Sequence, residues 1–199
     1  MNRLGRPFFE RDALEVAPDL IGCVLVHGSP EGTASVRLVE TEAYRGPHDP
    51  GSHGYRGMTP RTEVMFGPPG RLYVYLSYGV HWCANIVTGR DGHCQAVLLR
   101  AGEPLEGLEL MRARRGHLPD RLLASGPGRL AQALGLNKRH NGATLLRGGA
   151  IFVVRDEHTD RVQEMDIACT TRIGLATGKG DLLDQRFVLA GSAYASRRV

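Results

Sequence analysis

Residues 35–44, SVRLVETEAY, begin with the alternation of polar and apolar side chains that is typical of a half-buried strand and then depart from it. Successive side chains of a strand point to opposite faces. One face of this strand is therefore predicted to carry Val36, Leu38, Glu40, Glu42 and Tyr44. Because this stripe begins apolar and ends in two carboxylates and a phenol, it predicts a place where the core ends and a polar pocket begins.

The same kind of pattern predicts the neighbouring elements. Residues 12–27 favour a short helix that leads into a strand. Residues 71–87 have the alternation and aromatic content of a β-hairpin, with Ser77-Tyr78-Gly79 at its turn. Further strands are expected in AVLLRAGEP, AIFVVRD and QRFVLAG, and helices in LEGLELMRARRG and SGPGRLAQALGL. The Gly-, Pro- and His-rich residues 45–70 are expected to form a long functional loop.

Strands cluster along the chain and helices interrupt them irregularly, which favours an α+β fold. We expect a curved, mostly antiparallel sheet with surrounding helices and a protruding β-hairpin. A chain of 199 residues without repeats or linkers is best interpreted as a single domain over residues 1–199.

Composition narrows the function classes only slightly. The net charge of +4 permits a polyanionic partner such as nucleic acid, and 23 of the 25 basic residues are arginines, because only Lys138 and Lys179 are lysines. The apolar runs are too short to span a membrane, and no apolar signal core follows the first residues. A cytoplasmic protein without membrane attachment is therefore expected.

Glu40 and Glu42 suggest acid–base chemistry. Residues two apart on a strand lie roughly 6.5 to 7 Å apart, within the spacing of two carboxylates that flank a glycosidic bond. The residues leave three alternatives open: pairing of one or both acids with arginines, a glycoside hydrolase that uses both acids, and a non-catalytic nucleic-acid-binding module. The histidines and cysteines lack close ligand spacing, so no metal or other cofactor is predicted.

The hairpin adds an aromatic surface to this picture. Tyr73 and Tyr75 share one face of its first strand, where they can present phenols to a cleft. Tyr78 lies at the turn, and an exposed aromatic side chain there can enter a duplex in place of an expelled base.

Several segments then match a known family in their order along nearly the whole chain. They are LGRPFF, DLIGCVLV, the run from VETEAY to CANIV, AVLLRAGEPLEGLELMRARR, SGPGRLAQALGL, and RIGLATG with RFVLAGSAYAS. Together they resemble the alkyladenine (3-methyladenine) DNA glycosylases in their compact bacterial form, and ETEAY, YVYLSYG and SGP are specific to that family.

The resemblance implies a monofunctional DNA glycosylase without lyase activity, which starts base-excision repair. Such an enzyme flips alkylated or deaminated purines (3-methyladenine, 7-methylguanine, hypoxanthine or ethenoadenine type) out of double-stranded DNA and hydrolyses the N-glycosidic bond. We therefore expect a monomer that acts on damaged DNA at the nucleoid and needs no cofactor.

The resemblance also implies roles for individual residues. Glu42 matches the general base, and Arg100 and the carbonyl of Ile173 match groups that hold the attacking water. The flipped base is enclosed by residues that match Tyr44, His53, Tyr75 and Asn85. Contacts to DNA are implied for Tyr78 as the intercalating wedge, for Arg56 and Thr59 at phosphates, and for His81, where the family pattern has an aromatic residue.

Two geometric expectations follow. If Tyr75 and Asn85 line one pocket, the hairpin loop must hold an odd number of residues, or a bulge must supply the extra one. Glu40 should be a structural residue that is hydrogen-bonded to an arginine or to backbone amides, because a buried carboxylate without partners is costly.

Overall fold

The computed structural model describes residues 2–116 and 118–197. Its strands are β1 (Asn2–Arg3), β2 (Val24–Ser29), β3 (Gly32–Tyr44), β4 (Leu72–Ser77), β5 (His81–Thr88), β6 (Gln95–Glu106), β7 (Ile151–Arg155), β8 (Ile167–Thr171) and β9 (Asp184–Leu189). Its helices are α1 (Arg6–Phe9), α2 (Ala13–Asp19), α3 (Leu108–Arg115), α4 (Pro127–Ala133) and α5 (Glu157–Gln163).

All nine strands belong to one unclosed sheet with the order β1-β7-β2-β3-β6-β5-β4, and β9 joins β8 to β3. Each pairing between these strands is antiparallel. The predicted α+β class and the mostly antiparallel sheet are confirmed. Pattern analysis missed the short elements β1 and α1, and also α5 and β8. Among the residues that the structure describes, no helix is long and apolar enough to cross a bilayer.

Strand β3 is the centre of the sheet, and its register with β6 shifts between Ser35 and Val36 and twice more beside the two acids. Of the two shifts beside the acids, the first lies between Leu38 and Glu40 and leaves Val39 without a partner on β6. The second lies between Glu40 and Thr41 and leaves Arg100 without a partner on β3. Since each strand contributes one extra residue, the two bulges compensate and the original register returns beyond them. At the same place the neighbour of β3 on its other side changes from β2 to β9.

These bulges overturn one prediction from the sequence. The prediction was that one face carries Val36, Leu38, Glu40, Glu42 and Tyr44. In the structure Leu38 and Ala43 lie in the same hydrophobic core, although a regular strand would place them on opposite faces. Thr41 also faces this core, because its hydroxyl donates to the Ala17 carbonyl of α2 over 2.9 Å. The two carboxylates therefore lie on the opposite face, because the bulge reverses the alternation.

Two rows of cross-strand neighbours beyond the bulges define the two faces. The apolar row consists of Ala43, Val97, Ile86 and Leu72, all buried in the main core. The row beside it runs across the same strands on the other face and consists of Glu42, Leu98, Asn85 and Tyr73. The sheet thus carries its core on one side and the candidate chemistry on the other.

The predicted hairpin is confirmed, with its loop one residue later than expected. Ser77 pairs with His81, so the loop holds the three residues Tyr78, Gly79 and Val80. Tyr78 and Gly79 have φ values of 49° and 70°, and the Val80 amide donates to the Ser77 carbonyl over 3.0 Å. The odd loop length places Tyr75 and Asn85 on one face, as expected.

The helix predicted in SGPGRLAQALGL is α4, which begins at Pro127. Its N-cap is Gly126, and no side chain caps it. The proline fits this first position because its missing N–H would have no helical acceptor there.

Gly102 lies opposite Leu38, directly beside the first bulge. A Cβ atom on Gly102 would lie 2.8 Å from Val36 Cβ and 3.0 Å from the Arg37 carbonyl oxygen. We expect Gly102→Ala to lower the free energy of unfolding by about 1–3 kcal/mol, because these packed strands cannot separate without loss. Urea denaturation measures the difference. Gly28→Ala is the control, since its added Cβ would meet nothing closer than 3.7 Å. An equal decrease in the free energy of unfolding in both variants would contradict the expectation.

Candidate active site

A cavity of about 610 Å³ opens on the carboxylate side of the sheet. Its wall includes seven of the residues that the sequence singled out, namely Tyr44, His53, Tyr75, Tyr78, Asn85, Arg100 and Ile173. They come from β3, β4, β5, β6, the long loop and the segment after β8. The structure thus brings together side chains that are up to 129 residues apart in the sequence.

Glu42 lies directly behind this wall and is fully buried. The Ile173 amide donates to its Oε1 over 2.8 Å, the Arg100 guanidinium lies 3.1 Å from the same oxygen, and the Tyr44 hydroxyl donates to Oε2 over 2.9 Å. Burial raises the pKa of Glu42, while Arg100, the Ile173 amide and the Tyr44 hydroxyl oppose the rise. Glu42 is therefore a carboxylate that can take up a proton more readily than an exposed one.

Glu40 is also fully buried but has different partners. Its Oε1 accepts hydrogen bonds from Arg100 (2.7 Å), Arg186 (3.0 Å) and the Ser196 hydroxyl (2.8 Å), and its Oε2 accepts one from the Ser196 amide (2.6 Å). Burial alone would raise the pKa of Glu40, but Arg100 and Ser196 lower it overall. The expectation that Glu40 is hydrogen-bonded to an arginine and a backbone amide is confirmed.

Arg100 connects the two acids. It is the extra residue of the bulge on β6, and its side chain is only 6% exposed. Burial alone would lower the pKa of Arg100, but Glu42 and Glu40 outweigh it and raise that pKa. Arg100 therefore stays charged in the cavity wall.

Aromatic rings form another part of the wall. Tyr73 and Tyr75 are stacked with their centroids 5.5 Å apart, and the His53 ring lies edge-on to Tyr75 at 4.5 Å. His53 Nδ1 is 3.0 Å from the Tyr73 hydroxyl. The Asn85 amide donates to the Tyr73 carbonyl over 3.3 Å, which fixes its orientation beside the rings. Such a wall suits a flat, unsaturated ring, and a cationic ring especially.

Sequence reasoning missed a buried ion pair that supports this site. Arg172 forms a two-pronged salt bridge with Asp49, with N···O distances of 2.5 and 2.7 Å. The same guanidinium donates to the Ala43 carbonyl over 3.0 Å and lies over the Tyr44 ring, 4.5 Å from its centroid. Arg172 directly precedes Ile173. The Arg172–Asp49 ion pair therefore fixes the position of the Ile173 amide, which donates a hydrogen bond to Glu42.

Tyr78 lies at the rim of the cavity and is 86% exposed. Its hydroxyl is 3.5 Å from the Gly174 carbonyl, a contact at the limit of hydrogen bonding. The side chain thus projects from the hairpin, as the wedge hypothesis requires, but the role itself stays a prediction.

Three residues that the resemblance assigned to DNA contacts lie outside the cavity wall. Arg56 and Thr59 are exposed on the long loop, where the Thr59 hydroxyl is 3.0 Å from that of Thr62. His81 is exposed at the start of β5, where it packs against Gly128 of α4 and faces a second cavity of about 1200 Å³. Their contacts with DNA stay predictions. Within the described part of the chain, no group of three or more His, Cys, Asp or Glu side chains is placed to hold a metal ion.

The environment of Glu40 predicts a structural role for it. Glu40→Gln should lower the free energy of unfolding by about 3–5 kcal/mol, because it leaves two buried guanidinium groups without their shared carboxylate. Since the folded state lowers the pKa of Glu40, its contribution is present above the unfolded pKa of about 4.3 and is lost as the pH falls below it. The difference in the free energy of unfolding between the wild type and Glu40→Gln should therefore become smaller at acidic pH.

Urea titrations at several pH values measure this difference. The control is Glu10→Gln, which removes an exposed i,i+4 pair with Arg6 at 3.6 Å and should change stability by less than about 1 kcal/mol. A Glu40 variant as stable as the control would contradict the assignment.

Comparison with known proteins identifies the family of the chain. The family model described as Methylpurine-DNA glycosylase (MPG) matches residues 7–193. A protein of Methanoculleus marisnigri named "Putative 3-methyladenine DNA glycosylase" is 52% identical over 192 residues, which cover 96% of this chain and 97% of that protein. Proteins with the same name from Carboxydothermus hydrogenoformans and Chlorobaculum tepidum are 45% and 47% identical, over 98% and 99% of this chain and 99% and 92% of their own lengths. The chain therefore belongs to the methylpurine-DNA glycosylase family.

Proposed function

We propose that this DNA glycosylase excises alkylated or deaminated purines from double-stranded DNA and leaves the sugar–phosphate strand intact. The observation that carries the proposal is the position of Glu42. This buried carboxylate touches three residues of the cavity wall, and the stacked rings of Tyr73 and Tyr75 line the same cavity. An exposed tyrosine lies at the cavity rim.

Binding of the damaged nucleotide follows from the wall and the rim. Tyr78 enters the duplex and fills the gap in the base stack, while the expelled purine lies against Tyr75 and His53. A damaged purine pairs or stacks less well than a normal one, so its extrusion costs less. The exposed Arg56 and Thr59 contact phosphates, and His81 contacts the duplex beside the wedge.

The reaction is hydrolysis of the bond between C1′ and the purine nitrogen. Water reaches Glu42 where Tyr44, Arg100 and Ile173 surround it. As the water oxygen bonds to C1′, its proton passes to Glu42, and the electron pair of the broken bond leaves with the purine. A purine alkylated at N3 or N7 departs as a neutral molecule. The products are the free base and an intact abasic strand.

The two alternative functions have less support. A glycoside hydrolase would need both acids at the cavity, but Glu40 is held by Arg100, Arg186 and Ser196 behind the wall. A non-catalytic binding module would not explain a buried carboxylate with a raised pKa beside the cavity. The enzyme is proposed to act as a monomer on cytoplasmic DNA.

Excision from a defined duplex tests the proposal. The protein is incubated with a duplex that carries one hypoxanthine or one 7-methylguanine, and alkali-labile abasic sites are measured under single-turnover conditions. Glu42→Gln keeps the shape of the side chain but removes the base, so excision should fall by about 10²- to 10⁴-fold while lesion binding persists. Glu63→Gln, an exposed change in the long loop, is the control and should excise as the wild type does.

Three results would contradict the proposal. The first is binding without base release by the wild type, which would indicate a binding module. The second is a Glu42→Gln variant that retains its rate. The third is a covalent protein–DNA adduct after borohydride treatment, since a Schiff base would indicate lyase chemistry.

The hydrogen bond from Tyr44 to Glu42 predicts a change in pH dependence. Burial and the nearby Glu42 raise the pKa of Tyr44 well above 10, so its hydroxyl stays a donor to the ionised carboxylate. Tyr44→Phe removes this donor, which should raise the pKa of Glu42 further. Because excision requires ionised Glu42, the acidic limb of the rate profile should move to higher pH by about one unit.

Single-turnover rates between pH 5 and 8 measure the position of this limb. Tyr75→Phe is the matched control, because its hydroxyl is not bonded to Glu42, and its limb should coincide with that of the wild type even if its rate is lower. A limb that stays in place in Tyr44→Phe would mean that another group titrates.

A further inference from the structure

Arg61 lies in the cavity wall but has no role in the reaction described above. It comes from the long loop, and its guanidinium lies over the Tyr75 ring, 5.7 Å from the centroid. Burial raises the pKa of Tyr73, and the charge of Arg61 opposes that rise. Burial and then the Arg61 charge lower the pKa of His53. Arg61 therefore acts electrostatically on the same surface that would hold the flipped base.

The charge of Arg61 is not balanced locally. The other arginines next to the cavity are neutralised, because Arg100 pairs with two carboxylates and Arg172 pairs with Asp49. Arg61 forms no ion pair with any carboxylate in residues 2–116 and 118–197. His53 stays neutral near pH 7, since its pKa lies below the usual value of about 6.5. The aromatic side of the cavity therefore carries an excess positive charge from this one side chain.

We propose that Arg61 is a specificity-determining residue that favours neutral purines with an acceptor oxygen, such as hypoxanthine, over purines that carry a fixed positive charge. This inference rests on the proposed function and names the preferred substrate class of the same cavity. Arg61 can donate hydrogen bonds to the oxygen at C6 or to N7 of a neutral purine. A cationic purine is attracted by the aromatic rings but repelled by the guanidinium, so the two effects oppose each other.

The preference for a neutral purine should be larger in the transition state of bond cleavage than in the bound complex. When the C1′–N bond of a neutral purine breaks, the electron pair leaves with the base and negative charge develops on it. A nearby guanidinium stabilises this charge more than it stabilises the bound purine. For an alkylated cationic purine the departing base becomes neutral, so the charge of Arg61 gives no such gain. The effect should therefore appear in the excision step and not only in binding.

The test compares two lesions in otherwise identical duplexes. Single-turnover excision of hypoxanthine and of 7-methylguanine is measured for the wild type and for Arg61→Gln, and the ratio of the two rates is the readout. Arg61→Gln should lower the ratio of hypoxanthine to 7-methylguanine excision about tenfold. Arg61→Lys keeps the charge and should retain part of the preference. Because Arg61 is exposed, the effect should weaken as the ionic strength rises.

Arg90→Gln is the matched control, since it removes the same charge from an exposed turn outside the cavity wall. It should leave the ratio unchanged, even if weaker DNA binding slows both reactions. Equal loss of both activities in Arg61→Gln would overturn the inference, because it would indicate a contact to the DNA backbone. An unchanged ratio would overturn it too. Absence of excision of either lesion by the wild type would instead contradict the proposed function itself.

Discussion

The guanidinium of Arg100, shared between two buried carboxylates, is the interaction on which the cavity depends. Charges that are removed from water need partners, and each of the three groups would be costly to bury without the others. Glu40 receives the larger share, because Arg186 and Ser196 also bind it, and its pKa is lowered. Glu42 is left with fewer stabilising contacts and a raised pKa. One shared cation thus separates two neighbouring acids into a structural and a reactive carboxylate.

Local patterns in the sequence predicted most of the sheet, because alternation and turn composition are properties of consecutive residues. They correctly located β3 and the hairpin, although the hairpin loop lies one residue later than predicted. They placed Glu40 and Glu42 on the wrong face, since the bulges at Val39 and Arg100 arise from pairing with strands that are distant in sequence. A bulge has no signature in one strand alone.

The residues of the cavity wall were predicted by resemblance, whereas their support was not. Asp49 and Arg172 are 123 residues apart, and Ser196 is 156 residues from Glu40. Nothing in the neighbourhood of either residue marks such a partner, because charged residues on loops are usually solvated. Arg61 was missed for the same reason: an arginine in a polar loop has no pattern that points it toward a cavity.

The compensating bulges also limit how the length of these strands can vary in evolution. Deletion of Val39 alone would leave the extra residue Arg100 on β6 uncompensated, so the register of β3 with β6 would no longer be the same on the two sides of the bulge. Deletion of Val39 together with Arg100 would preserve the register but remove the guanidinium that makes burial of the acids tolerable. Insertions and deletions are therefore excluded here by chemistry, whereas the surface loops of the same sheet remain free to change in length.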